Sequence, residues 1–256
     1  MKNKSILAIA ASAAVLAGCG GGGDDSSFTP PAPAPTPAVS AEGIWAGKSS
    51  ANRDITGIVL NDGTYYVMYT VVGVPTVLDG VIQGTGKING ASFASTDGRD
   101  FNFSTASVQG LSVSATPQTK QTLNGSLAYI SPASTLTFTS AYSADYEKTP
   151  TLASITGRYT GQSALLGNVE NQSITIAADG SLTATGASGC ITTGKATPRA
   201  SGNAYDLSIT FGAAPCLFST QTFKGVAYFD PASKRLYAAS LNTGRTQIAV
   251  FLGTKQ

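Results

Sequence analysis

The chain repeats itself, and the repeat limits what it can fold into. Gly43-Ile44-Trp45-Ala46-Gly47 answers Gly157-Arg158-Tyr159-Thr160-Gly161 at an offset of 114 residues. An Asp-Gly pair follows each: Asp62-Gly63 after Ile58-Val59-Leu60, and Asp179-Gly180 after Ile174-Thr175-Ile176. Farther on, Leu123-Asn124-Gly125, Ala128-Tyr129 and Pro132-Ala133-Ser134 are matched in order by Phe223-Lys224-Gly225, Ala227-Tyr228 and Pro231-Ala232-Ser233. Landmarks that recur once, in one order, mark a duplication rather than a long solenoid. Whatever architecture the chain adopts is therefore built twice, in units of about 100 residues with a junction near 142–156.

Inside each copy the local pattern is β. Phe101 and Phe103, Leu111 and Val113, Leu136 and Phe138, Ile174 and Ile176, and Leu207, Ile209 and Phe211 alternate with Asn, Ser, Thr or other intervening residues. Period-two alternation over a few residues marks half-buried strands. Asn89-Gly90 and Asp97-Gly98 supply further hairpin turns, since both dipeptides accept positive φ, and Asp230-Pro231 marks another turn. Asp79-Gly80 and Asn124-Gly125 fall where strands would otherwise be drawn. The expected fold is all-β: two tandem antiparallel meander units, each a β-barrel or β-sandwich, at 41–148 and 149–256.

The first 40 residues read differently. Lys2 and Lys4 precede an apolar run, Ser5–Leu16, which is too short to cross about 30 Å of hydrocarbon and fits a signal-peptide h-region. It ends in Leu16-Ala17-Gly18-Cys19, which resembles the lipobox of bacterial lipoproteins. That resemblance implies a signal peptide at 1–18, lipidation (palmitate among the acyl chains) of Cys19, and a membrane held through that lipid. Gly20 follows the cysteine where an acidic inner-membrane retention signal would stand, so the resemblance implies the outer membrane, with periplasmic or surface-exposed orientation left open. Four glycines and then Pro30–Pro37 (PPAPAPTP) complete a flexible Gly/Pro tether over 19–40.

Composition and cysteine count then remove chemistries. The chain has no histidine, which excludes Ser-His-Asp and Cys-His mechanisms and most zinc sites. Charged residues make up 12% with a net charge of +2 and no basic block, so nucleic acid is not implied. Gly84-x-Gly86 lacks the third glycine and following helix of a phosphate loop. Asp62, Asp79, Asp97, Asp179 and Asp230 precede Gly or Pro and read as turn residues, and an acid pair such as Asp54 with Asp100 has no support. No catalytic residue, cofactor or metal is expected, and the chain is not expected to be an enzyme. With Cys19 lipidated, Cys190 and Cys216 remain as a pair in an oxidising compartment, and a disulfide is expected; a metal or redox pair is the alternative.

What remains for binding is aromatic. In Tyr65-Tyr66-Val67-Met68-Tyr69, a strand sends Tyr65, Val67 and Tyr69 one way and Tyr66 and Met68 the other. Trp45, Tyr65, Tyr66, Tyr69 and Tyr159 are the candidate ligand or partner surface; the competing reading makes them barrel wall and core. Gly43-x-Trp45 and Gly157-x-Tyr159 resemble the opening strand of calycin-type barrels (lipocalins, avidins), which implies an aromatic residue plugging one barrel end. Tyr142, Tyr146, Leu152–Gly161 and Arg235-Leu236-Tyr237-Ala238-Ala239 resemble uncharacterised proteobacterial outer-membrane lipoproteins with a duplicated β domain, for which no activity is implied. Cys19, its glycine run and Phe28 are similar to surface lipoproteins such as neisserial transferrin-binding and factor-H-binding proteins. The function expected is a membrane-anchored envelope lipoprotein with a non-enzymatic binding or structural role toward a protein or small-ligand partner. The alternative is a lipocalin- or avidin-like carrier of a small apolar ligand.

Overall fold

Strand alternation closes twice into a ring. The computed structural model describes residues 38–256; the signal peptide, Cys19 and most of the tether lie outside the described residues. The first copy contributes β1 (Gly43–Ser49), β2 (Asp54–Val59), β3 (Thr64–Val71), β4 (Val74–Thr85), β5 (Lys87–Asn89), β6 (Ser92–Asn102), β7 (Ser107–Gln118), β8 (Thr122–Ile130) and β9 (Ala133–Ser143). Neighbours pair antiparallel, β4 skips to β6, and β9 returns to β1 from Ile44↔Ser143 to Ser49↔Phe138, giving an eight-stranded barrel with β5 as an extra hairpin arm. The second copy contributes β10 (Gly157–Leu165), β11 (Asn168–Ile176), β12 (Ser181–Gly186), β13 (Ile191–Pro198), β14 (Tyr205–Phe211), β15 (Thr222–Asp230), β16 (Arg235–Leu241) and β17 (Ile248–Lys255). These form a closed up-and-down barrel in which β17 pairs back onto β10. The choice between barrel and sandwich is thus settled as barrel in both copies.

The turn chemistry is as the dipeptides dictate at most hairpins. Gly63 and Gly180 hold φ of +82° and +84°, and the preceding aspartates accept the backbone N–H of Thr64 and Ser181 at 2.9 Å. Asp97-Gly98 is the correction. It is not a hairpin turn but a β-bulge inside β6, where the register jumps between Ser95 and Gly98. The Asp97 carboxylate, instead of closing a turn, accepts the Thr85 N–H at 2.8 Å and pairs with Arg245 at 2.9 Å. Asp79-Gly80 and Asn124-Gly125 likewise lie within strands, β4 and β8.

Between the barrels run a 3-10 turn, Ala144–Glu147, and a one-turn helix α1 (Leu152–Ile155) capped by Thr151. Neither is long enough to leave a 3.6-residue pattern in the sequence. Among the described residues no helix is long and apolar enough to cross a membrane.

The buried apolar side chains form three layers and a smaller cluster about Phe211, Phe223 and the Cys190–Cys216 pair. One layer lines the inside of the first barrel (Trp45, Tyr65, Tyr69, Ile82, Phe93, Leu111) and one the inside of the second (Tyr159, Ile174, Leu182, Leu207, Leu236, Phe251). The third lies between the barrels. There Ile58, Tyr66, Met68, Val81 and Phe101 pack with Val226, Tyr228, Ala239, Leu241 and Val250. β3 and the adjoining parts of β2 and β4, through Ile58 and Val81, are therefore buried on both faces, which is why Tyr65–Tyr69 is apolar without interruption. Outward positions of β7 such as Ser114 and Thr116 face solvent and keep the polar alternation. Arg245 bridges the barrels with four hydrogen bonds to the side chains and carbonyls of Gln83 and Asp97, at 2.7–3.1 Å.

Candidate functional site

The first barrel is hollow. Its cavity measures about 320 Å³ and is walled mainly by apolar residues, among them Val59, Ile82, Phe93, Val113 and Leu127, with Trp45 at one end. The other end is lined by Ser49, Arg53, Pro132 and Ser134 on the β1–β2 and β8–β9 hairpins, all partly or fully exposed, so the cavity opens there.

The closed end follows from the Gly-x-Trp motif. β1 turns Trp45 inward, where its indole N–H donates to the Ala41 carbonyl at 2.9 Å and its ring meets Tyr142 edge-on at 5.3 Å. Above it, Tyr65 and Tyr69 extend from β3 across β4. They lie over Gly84 and Gly80, where an added Cβ would come within 2.3 Å and 2.1 Å of the two phenol oxygens. Those glycines thus make room for the rings.

Toward the open end the wall becomes polar. Asp100, only 5% exposed, accepts the Tyr69 hydroxyl at 2.6 Å on one oxygen and the Tyr129 hydroxyl at 2.8 Å on the other. Asn102 donates to the Tyr69 oxygen at 3.1 Å. The Arg53 guanidinium sits over the Tyr69 ring, 5.2 Å from its centroid, and ion-pairs with Asp79, whose carboxylate also takes the Ser104 hydroxyl. Burial pushes the Asp100 carboxyl above its ordinary range, against the lowering effect of its two tyrosine hydrogen bonds and of Arg53. Burial also raises the Tyr65 phenol to about 12.

The second barrel repeats the plan at smaller scale. Tyr159 plugs it, its hydroxyl donating to the Ile155 carbonyl at 2.7 Å. The cavity beyond is about 250 Å³, with Glu170, Gln172 and Thr192 among its polar residues. Pro215 and Leu217 edge it from a loop tied to Cys190 by the Cys190–Cys216 disulfide.

The sequence-derived candidates are distributed by this geometry. Trp45, Tyr65 and Tyr69 come together in the wall of one cavity. Tyr66 points the opposite way and packs between the barrels, and Tyr159 lies in the other barrel. All five are buried, so none offers an exposed ring to a partner protein. Cys190 and Cys216 are paired with each other, and Cys19 lies outside the described residues. Asp54 pairs with Lys48 at the surface rather than joining Asp100. Among the described residues no group of three or more His, Cys, Asp or Glu is placed to hold a metal ion.

Arg53, Asn102 and Tyr129 were missed by the sequence reading, and Asp100 was named only to be set aside. The signal for Asp100 was hidden by the bulge. Counting by twos from Phe93 sends Phe101 inward and Asp100 outward; the extra residue at Ser95–Gly98 reverses that parity. Asp100 consequently faces the cavity and Phe101 the second barrel.

No protein-family model and no curated protein sequence matches the chain. Among solved structures it is similar to a double mutant of the vaccine antigen Transferrin Binding Protein B from Haemophilus parasuis Hp5, with TM-score 0.30 and 8% identity over 80% of this chain. The chain spans 61% of the length of that protein. It is also similar to a Bacteroides fragilis protein provisionally assigned to the outer membrane, with TM-score 0.28 and 14% identity over 84% of this chain and 96% of that one. A third likeness is to intact Ap-TbpB with its N and C lobes, with TM-score 0.28 and 10% identity over 81% of this chain and 68% of that one. At such scores and identities none of the three carries a partner or an activity over to this chain.

Proposed function

We propose that the protein is a non-enzymatic binding protein of the bacterial outer membrane, anchored through lipid on Cys19, whose first barrel takes a small, largely apolar ligand into its interior. The observation that carries this reading is the hollow first barrel. A cavity of about 320 Å³ with an apolar wall, an open end and a few convergent polar groups is the usual form of a small-molecule site, at the small end of the ordinary range. A barrel serving only as a spacer gains nothing from such a void, because unfilled apolar volume costs stability.

Trp45 is the sole tryptophan and lines the cavity, so its emission reports on occupancy. The apolar reporter N-phenyl-1-naphthylamine is expected to bind the purified full-length protein and to quench Trp45. Val113→Phe, which fills the cavity from β7 and leaves Trp45 the sole tryptophan, is expected to abolish the binding while the far-ultraviolet β signature is retained. A wild-type protein that binds no reporter, or a filled variant that binds it equally well, would count against this function.

A further inference from the structure

The cavity of the first barrel carries an uncompensated acid. Among the described residues, the charged side chains lining it are Arg53 and Asp100, and Asp79 stands behind Arg53. The Arg53 charge is taken up by Asp79. Asp100 takes part in no ion pair among the described residues, and its two partners, Tyr69 and Tyr129, are neutral. A carboxylate has about four acceptor sites. The two phenols occupy one on each oxygen, and the carboxylate lines the cavity. A buried carboxylate without a counter-charge is costly, and the cost is relieved by a cation that also donates hydrogen bonds.

Resting on the small-ligand reading above, we propose that the first barrel selects apolar amines: an aliphatic or aromatic body fills the cavity toward Trp45, and a protonated amino group sits against the carboxylate of Asp100. An anionic ligand is disfavoured at the same place, since it would meet Asp100 with the Arg53 charge already engaged. A neutral alcohol could donate one hydrogen bond but leaves the charge uncompensated, so it binds more weakly. Asp100 is then a specificity residue, and Tyr69 and Tyr129 hold its oxygens in place. The second cavity's acid, Glu170, is half-exposed and accepts the Ser188 N–H at 2.7 Å, so water and a backbone donor already serve it; the buried Asp100 places the selectivity in the first barrel.

The test compares 4-phenylbutylamine with 4-phenylbutan-1-ol on the purified full-length protein, read by Trp45 quenching and by calorimetry. Near neutral pH the amine is expected to bind roughly tenfold more tightly than the alcohol, the scale of one charge-assisted hydrogen bond over a neutral one. Asp100→Asn keeps the shape and an acceptor oxygen for the phenols. It is expected to weaken the amine far more than the alcohol and so to bring the two to within about twofold of each other. A second arm needs no variant. Facing Asp100 are Tyr69 from β3, Tyr129 from β8, Asn102 from β6, and the Arg53–Asp79 pair from the β1–β2 turn and β4. Of these groups Asp100 is the one whose charge the amine requires, so lowering the pH through the carboxylate range protonates it and diminishes the amine's preference over the alcohol. Equal affinities for the two probes in the wild type, a preference that survives Asp100→Asn, or one undiminished at low pH each overturn the proposal and leave the small-ligand reading standing. If neither probe binds, both readings fall.

Discussion

Trp45 and Tyr159 do one job in two barrels. Each is the aromatic of a Gly-x-aromatic start, each is buried, and each reaches back to the carbonyl four residues earlier, Ala41 and Ile155. The side-chain donor closes the barrel end by satisfying a backbone group that water cannot reach. Tyr159→Phe keeps the ring and removes the donor, leaving the Ile155 carbonyl without it. The expected cost is about 1–3 kcal/mol, measured as a lower urea midpoint with unchanged m-value; an unchanged midpoint would mean the bond does not support the plug. That the two positions correspond was legible in the sequence because the glycine and the aromatic recur together at one offset, while the plug was what the resemblance to calycin-type barrels implied. Asp100 was not, because its orientation depends on a single extra residue between Ser95 and Gly98 rather than on its own neighbours.

Elements were legible where one face is wet and obscured where both are dry. Along β7 and β9 the alternation of apolar and hydroxyl residues survives because the outer face meets solvent. Along β2 to β4 the outer face meets the second barrel, so Ile58, Tyr66, Met68 and Val81 blur the period into a continuous apolar run. Such a run was itself a sign of a second packing surface, and the sequence reading treated it as a platform or a wall. The disulfide was legible by count, and its place in the fold gives it a consequence. Cys216 lies in the loop between β14 and β15, and Cys190 just before β13, so the bond holds that loop at the open edge of the second barrel. Closing a separation of 26 residues stabilises the fold by roughly 3–4 kcal/mol in the chain-entropy treatment. The Cys190→Ala, Cys216→Ala double variant is expected to lose that much stability and to become sensitive to protease within 212–221. Equal stability of the oxidised and reduced wild type would show that packing of Phe211, Phe218 and Phe223 alone holds the loop.

At the scale of the whole molecule, the duplicated copies meet on an apolar layer fastened by Arg245, and Cys19, the proposed anchor, precedes them in sequence by the Gly/Pro stretch. Changing the anchor should therefore leave the fold untouched. Cys19→Ser is expected to move the protein from the membrane fraction to the soluble one with its urea midpoint unchanged, and retention after a carbonate wash would contradict the lipid anchor. The burial of so many phenols has a global consequence as well. Nine of the ten tyrosines sit where burial raises their ionisation, Tyr65 and Tyr66 to about 12 from an ordinary 10. For a phenol, a raised value means that the folded state keeps its proton after the unfolded chain has lost it. The contribution is complete below pH 10 and is lost as pH rises from about 10 toward 12, so stability falls over that window. Tyr65 and Tyr66 together, both almost fully buried, set a slope of roughly 3 kcal/mol per pH unit there. Urea midpoints are expected to be level between about pH 7 and 9 and to drop steeply above 10. Phenolate absorbance is expected to rise together with loss of the β signature rather than ahead of it. Ionisation of most tyrosines near pH 10 in a protein that stays folded would mean that water reaches the barrel interiors and the interbarrel layer far more freely than this packing allows.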